Sequence, residues 1–224
     1  MIAKIEVRCA QPQEIDALAT TLALAFQNDP ISTWIFPDAR VRAERHPSFF
    51  RIPVQTALEA GEVYTTPDYD GVAVWFPIVV TKPSDPVDHP AAFKEACGPC
   101  YERFCTLDEL MVGRHPTSLD HIYLAFVGVL PERTRRGVGS ALLADRLRRC
   151  DEQEVAVYLE NSNPAHNEQL YRRFGFFRSG PAIQLPASGF ATNANRPSDQ
   201  SPIGSGPQMC PMWRSPRPLP RSDR

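Results

Sequence analysis

No apolar run in this 224-residue chain approaches the roughly 20 residues that span a bilayer. The opening residues, Met1-Ile2-Ala3-Lys4-Ile5-Glu6, lack the apolar core of a secretory signal. A cytoplasmic location is expected. The six cysteines are then free thiols, because that compartment is reducing. An excess of one charge is missing too. With a formal net charge of −2, neither nucleic acid nor a membrane surface is expected as a partner. Paired metal-ligand spacing is also absent. Cys97, Cys100 and Cys105 stand near one another with His115 further on, but the second half has no paired Cys or His, and no metal is expected. Cys97-Gly98-Pro99-Cys100 spells a thiol-redox tetrapeptide. That chemistry needs its first thiol at a helix start after a strand, whereas Ala91 to Ala96 are helical in character, so inert thiols are expected.

Proline, by contrast, is abundant: 23 residues, nine of them after position 180, against a usual share of about 5%. Residues 187–206 are rich in Ala, Ser, Asn, Gly and Pro and nearly free of large apolar side chains. They read as a flexible insert, and 215–224 as a Pro/Arg-rich tail. Residues 1–185 have the composition of one folded domain. Within it, Ile5 to Arg8 reads as a short strand. Pro12 opens a helix whose Ile15, Leu18, Ala19, Leu22 and Phe26 form one apolar stripe, stopped by Asn28-Asp29-Pro30. A second helical stretch from Arg40 to Leu58 ends at Gly61. Val63–Thr65 and Val72–Phe76 form a hairpin around Pro67 to Asp70. Ala91–Val112 is helical with a break at Gly98-Pro99.

The back half is more regular. Ile122–Leu130 is an apolar run of strand length, Val138–Arg149 is helical and Val155–Leu159 is a second buried strand. Asn163-Pro164 is expected to cap a helix through the Asn side chain. Leu170, Tyr171 and Phe174 give that helix its apolar face, and Gly175 stops it. Strand, glycine turn, helix, strand makes a βαβ unit with two nearly parallel strands. The turn is Pro131-Glu132-Arg133-Thr134-Arg135-Arg136-Gly137-Val138-Gly139-Ser140. The first N–H groups of a helix have no intrahelical partner and carry partial positive charge, which makes a phosphate seat. Arg133, Arg135 and Arg136 add cations around it. Tight strand–helix packing is the other use of such glycines. No Gly-Lys-Ser/Thr is present, and Leu142 stands where a dinucleotide fingerprint needs its third glycine, so those two nucleotide sites are excluded.

Thr134-Arg135-Arg136-Gly137-Val138-Gly139 resembles the acyl-CoA pyrophosphate loop of the GNAT superfamily of N-acetyltransferases, usually written Gln/Arg-x-x-Gly-x-Gly/Ala, with Thr134 a departure at its first position. His121 to Val129 resembles the strand that pairs with the pantetheine arm. Tyr158-Leu159-Glu160, Asn167 and Tyr171-Arg172-Arg173-Phe174-Gly175-Phe176 resemble the family's later signature, and Pro211 to Arg214 its last strand. The front end, Ala25 to Pro30 and Trp34 to Asp38, resembles the subgroup containing puromycin N-acetyltransferase.

The resemblance implies an α/β (α+β) fold: a mixed, largely antiparallel sheet flanked by helices, with a βαβ acyl-CoA-binding core. The domain of 1–185 would be completed by a strand near 208–214. It implies acetyl-CoA as co-substrate, seated by the amides of Arg135, Arg136, Gly137, Val138, Gly139 and Ser140, by the exposed backbone of Val127, Gly128 and Val129, and by Asn167. Acetyl transfer also needs a base for the substrate ammonium and an acid for the departing thiolate. Glu160 is the candidate base, although it suits a strand-end cap or ion pair equally. Tyr171 is the candidate acid, since a phenol of pKa about 10 is protonated at neutral pH. Trp34, Phe36, Phe49, Phe50 and Trp75 are expected mostly in the core, with a subset, Trp34 especially, lining the acceptor pocket, since aromatic walls suit flat or apolar amines. The expected function is acetylation of the primary amine of a small molecule, with an antibiotic or aminonucleoside the acceptor that the subgroup resemblance implies. The alternatives are a peptide or protein N-acetyltransferase and a non-catalytic acyl-CoA-binding module.

Overall fold

Side chains in a strand point alternately to opposite faces. Along the central hairpin strand, Val72 and Val74 pack with one cluster of buried residues, and Ala73 and Trp75 with another. Both faces of the sheet are therefore covered. The computed structural model describes residues 5–59, 62–81, 90–187 and 206–218. In chain order its elements are β1 (Arg8–Cys9), α1 (Ile15–Ala25), α2 (Pro30–Ile35), α3 (Ala39–Glu59), β2 (Val63–Thr65), β3 (Gly71–Ile78), α4 (Pro90–Cys97), α5 (Tyr101–Val112), β4 (His121–Val129), α6 (Val138–Glu152), β5 (Ala156–Asn161), α7 (Pro164–Arg173), β6 (Phe177–Arg178), β7 (Ile183–Gln184) and β8 (Gln208–Arg214). The sheet runs β1-β2-β3-β4-β5-β8-β6, with β7 also on β8. Every pair is antiparallel except β4–β5. This is the mixed, mostly antiparallel sheet expected from the sequence.

One face carries Leu18 and Leu22 of α1, Trp34 of α2, and Phe49, Phe50 and Val54 of α3. The other carries Val138, Leu142, Leu143 and Leu147 of α6 with Tyr171 of α7. Gly128 of β4 lets the first layer close. A Cβ there would lie 2.9 Å from Ala25 Cβ and 3.0 Å from Leu22 Cδ2, too close for any larger residue.

Several elements differ from expectation, each for a local reason. Asn28-Asp29-Pro30 ends α1, but it also starts α2. The Asp29 carboxylate accepts from the Ile31 and Ser32 amides, and Pro30 takes the first helical position. The first strand is two residues long and sits at 8–9 rather than 5–8. Asn163 precedes α7 without capping it by its side chain; its Oδ1 lies 3.0 Å from His166 Nδ1, and its carbonyl accepts from the His166 and Asn167 amides. Gly175 does stop α7, with φ of +93°. Gly61, nearly all of the 187–206 insert and the end of the 215–224 tail lie outside the described residues. Among the described helices none is long and apolar enough to cross a membrane.

Candidate active site

The site begins where β4 and β5 part. They pair only at His121↔Ala156, Ile122↔Val157 and Tyr123↔Tyr158. Beyond that a bulge interrupts the β3–β4 register: Val74 pairs with Phe126 and Trp75 with Leu124, leaving Ala125 extra. A bulge bends its strand, and here it marks the point where β4 leaves β5. The Leu130 amide donates to the Asp70 carbonyl, on the β3 side. Backbone polar groups alternate sides along an antiparallel strand, so Gly128, paired with Val72, also faces β3. Val127 and Val129 then present their N–H and C=O groups to the open edge.

At the end of β4 the chain turns into α6. Arg135 and Gly137 both have positive φ, at 61° and 90°. The first backbone bond of the helix runs from the Ala141 amide to the Gly137 carbonyl. The amides of 135–140 ahead of it have no hydrogen-bond acceptor among the described residues. Arg135, Arg136 and Gly137 are exposed, so these donors can receive an anion. A Cβ added to Gly139 would lie 3.6 Å from Val129 Cγ2 and 3.7 Å from Leu170 Cδ2, which places the loop between the end of β4 and α7. Arg133 is engaged elsewhere, its Nε lying 3.1 Å from Asp70. The Thr134 hydroxyl donates to the Pro131 carbonyl at 2.8 Å and so faces its own turn.

A cavity of about 570 Å³ runs from the splay toward α5. Val127, Glu160, Asn167 and Tyr171 all line it, so the structure brings the sequence-derived candidates of β4, β5 and α7 into one space. Nine of its other lining residues are aromatic, including Phe49, Phe50, Phe93, Phe104 and Phe126. Trp34 is not among the lining residues; it is buried, and its Nε1 donates to the Pro186 carbonyl at 2.9 Å. Trp75 lies in the opposite core.

The polar groups of the cavity differ sharply in satisfaction. Asp29 holds its two amides and accepts from Ser162 Oγ at 2.6 Å, which ties α2 to the β5–α7 turn. Burial nonetheless raises its pKa. Glu160 has a side chain only 1% exposed, and neither carboxylate oxygen has a hydrogen-bond partner. The Tyr123 and Tyr158 phenols stand beside it without an aligned hydrogen bond. Burial, and then this carboxylate, push both phenols up. Tyr171 is 6% exposed; burial, with a smaller contribution from Asp29, raises its phenol, which stays protonated at neutral pH. Phe49 and Phe50 were among the pocket candidates read from the sequence, whereas Asp29, Tyr123, Phe93, Phe104 and Phe126 were not. The one available signal was Asp29-Pro30, a helix start as well as a stop.

Among the cysteines, Cys105 lines the cavity. Cys97 ends α4 fully buried, and its thiol is pushed up to about 12 chiefly by burial. All described cysteines are free. No metal-ligating cluster occurs among the described residues.

Residues 101–177 match the family model of the acetyltransferase (GNAT) domain. Over that stretch the chain is similar to the GNAT acetyltransferase domain. The fold is similar to that of a protein described as histone acetyltransferase HPA2 and related acetyltransferase from Corynebacterium glutamicum, 22% identical, covering 98% of this chain and 99% of that one with a TM-score of 0.62. It is also similar to arylalkylamine N-acetyltransferase 2 from Aedes aegypti, 12% identical, covering 96% and 100% with a TM-score of 0.63. That match supports the enzyme class expected from the sequence, an acetyl-CoA-dependent N-acetyltransferase.

Proposed function

We propose that this GNAT domain transfers the acetyl group of acetyl-CoA to the primary amine of a small molecule with a flat apolar body, such as an antibiotic or aminonucleoside. One observation carries the proposal: a buried carboxylate, Glu160, neither of whose oxygens has a hydrogen-bond partner, on the wall of a cavity rich in aromatic residues that Tyr171 also lines. A buried carboxylate without hydrogen bonds is costly, and an ammonium group entering the cavity would relieve that cost. The cavity volume suits a drug-sized molecule better than an extended peptide. Fold likeness does not choose between acceptors, since the similar structures are named for both histone and arylalkylamine.

The chemistry follows from the positions. The amides of Arg135 to Ser140 would seat the pyrophosphate, with Arg135 and Arg136 adding charge. Val127 and Val129 would pair their open-edge backbone with the pantetheine amides, as an added strand does. Asn167 would hydrogen-bond the same arm. Gly128 contributes by letting α1 pack against β4. Glu160 takes a proton from the acceptor ammonium, and the free amine attacks the thioester carbonyl. As the tetrahedral adduct collapses, the C–S bond breaks, Tyr171 gives its proton to the departing thiolate, and the second proton of the attacking nitrogen passes to the phenolate, which leaves amide, thiol and a restored phenol.

The test is calorimetric titration with acetyl-CoA of the wild type and Gly137→Asp, followed by turnover on panels of small amines and of peptides. The substitution puts a carboxylate into the anion seat at a φ of +90° that only glycine adopts freely. It is expected to weaken binding by about 100-fold or more. No binding by folded wild type overturns the proposal. Binding without turnover points to the non-catalytic module, and turnover on peptides alone to a protein acetyltransferase.

A further inference from the structure

Behind Glu160, outside the cavity's lining, stand two histidines whose hydrogen bonds fix their tautomers in sequence. His121 Nδ1 lies 2.8 Å from the Leu119 carbonyl oxygen. A carbonyl only accepts, so Nδ1 carries the proton, and Nε2 of the neutral ring is a lone pair. His121 is 1% exposed, and burial lowers its pKa, which keeps it neutral. Its Nε2 faces His115 Nε2 at 3.1 Å. His115 must therefore donate from Nε2, which leaves Nδ1 as its basic nitrogen. That Nδ1 lies 3.7 Å from Glu160 Oε1.

The surroundings put the His115 ring near water. The His115 side chain is 22% exposed, against 1% for Glu160. A second depression, of about 370 Å³, is lined by Arg114 and Pro116, the two neighbours of His115, and by Tyr158 and Trp213. The His115 ring lies 4.9 Å from Tyr123, which lines the large cavity, and 4.9 Å from Tyr158, which lines the second. His115 thus stands between the two spaces. The titratable groups facing the pair are Glu160 and Tyr158 from β5 and Tyr123 from β4, with Asp120 just ahead of β4; Trp213 of β8 adds only its ring.

Given the acetyl transfer proposed above, we infer that His115, held in one tautomer by His121, removes the substrate-derived proton from Glu160 and delivers it to solvent at the second depression. An N–H bond of the acceptor ammonium breaks as an O–H bond forms on Glu160. That O–H bond breaks as Nδ1–H forms on His115. The imidazolium then loses one proton to water, which restores the carboxylate and the neutral ring. Glu160 is the group that touches the acceptor; His115 and His121 act through it.

The test is turnover of His115→Ala on the best amine of the panel, in dilute buffer, with and without added imidazole. Expected is a fall in kcat of about 10–100-fold, smaller than for a group that moves the substrate proton itself, with imidazole restoring it. Affinity for acetyl-CoA stays at the wild-type value. Unchanged kcat, or a fall that imidazole does not restore, overturns the relay. A second measurement needs no activity. Histidine nitrogen NMR of the wild type at pH 8 should find His121 protonated on Nδ1 and His115 on Nε2, and the opposite tautomer of His115 overturns the relay. A wild type that acetylates no amine defeats the acetylation proposal separately, and the NMR result still decides the tautomers.

Discussion

The loop at 134–140 and the aromatic cavity meet at the end of β4, yet they are made differently. The loop is one continuous stretch whose donors are backbone amides, released by two residues of positive φ and by the helix start. The cavity draws its wall from side chains as far apart in sequence as Phe26 and Tyr171. Donors of the first kind survive most substitutions, provided the backbone can still turn. A surface of the second kind changes with every side chain. The loop therefore suits the part of the chemistry common to all acetyl transfer, and the cavity suits the choice of acceptor.

The largest effect expected on the cavity side is that of Tyr171→Phe. It keeps the buried ring and removes one proton. Turnover should fall about 10²–10⁴-fold, the range for a positioned proton donor, with acetyl-CoA affinity nearly unchanged. Steady-state kinetics and calorimetry on the same preparation separate the two. Wild-type turnover would leave Tyr171 a packing residue and move the acid elsewhere.

The contrast in construction also explains what the sequence disclosed. Gly137, Gly139, Glu160, Asn167 and Tyr171 were picked out because a short span of chain resembles a family signature, and the structure folds that span into consecutive elements, β4, α6, β5 and α7. The layer of α1 to α5 was legible as helices, from the Leu18–Leu22 stripe and the break at Gly98-Pro99, but its use was not. Whether Phe93 and Phe104 face a cavity or a core depends on how α4 and α5 lie over α3. Their rings stack at 4.4 Å and join Phe49 at 5.5 and 5.6 Å, and no local pattern encodes that meeting. Trp34 illustrates the same limit in reverse: a large aromatic beside the site, drawn into the core by its bond to Pro186. Asp29 was visible as a breaker, while its bond to Ser162 joins residues 133 positions apart.

His46 sharpens the comparison from below the aromatic layer. It lies 1% exposed among Phe36 and Phe50, with ring centroids at 5.4 and 5.3 Å. Burial lowers its pKa to about 4, with its bond to the Ala23 carbonyl acting the other way. The folded state thus refuses a proton that the unfolded chain accepts near pH 6.5. Stability is full above that value and is lost as pH falls toward 4, by roughly 3 kcal/mol in all. Urea unfolding at pH 7.5 and pH 4.5 should register the loss, and His46→Phe should flatten it. An equal loss in the variant would assign the acid sensitivity to other groups.

A tenfold effect is expected for Phe104→Ala. The ring lies on the cavity wall and stacks on Phe93. Its removal should raise the KM of the amine acceptor about tenfold, in line with the loss of one buried aromatic contact. Acetyl-CoA affinity should not move, because no part of the 134–140 loop touches this ring. Parallel losses for both substrates would mean that the two walls are not independent.

The smallest effect belongs to Thr134→Val. Thr134 stands where the family's loop usually carries Gln or Arg, so a seat built from side chains would already be impaired at this position. Its hydroxyl is turned back onto the Pro131 carbonyl, away from any anion at the amides of 135–140. Valine keeps the shape and the backbone angles and removes one exposed local hydrogen bond, worth about 1 kcal/mol or less to the turn. Acetyl-CoA affinity measured by calorimetry should therefore change by less than about threefold. A loss on the scale expected for Gly137→Asp would make Thr134 a direct ligand, and the loop would then be a side-chain site like the cavity it adjoins.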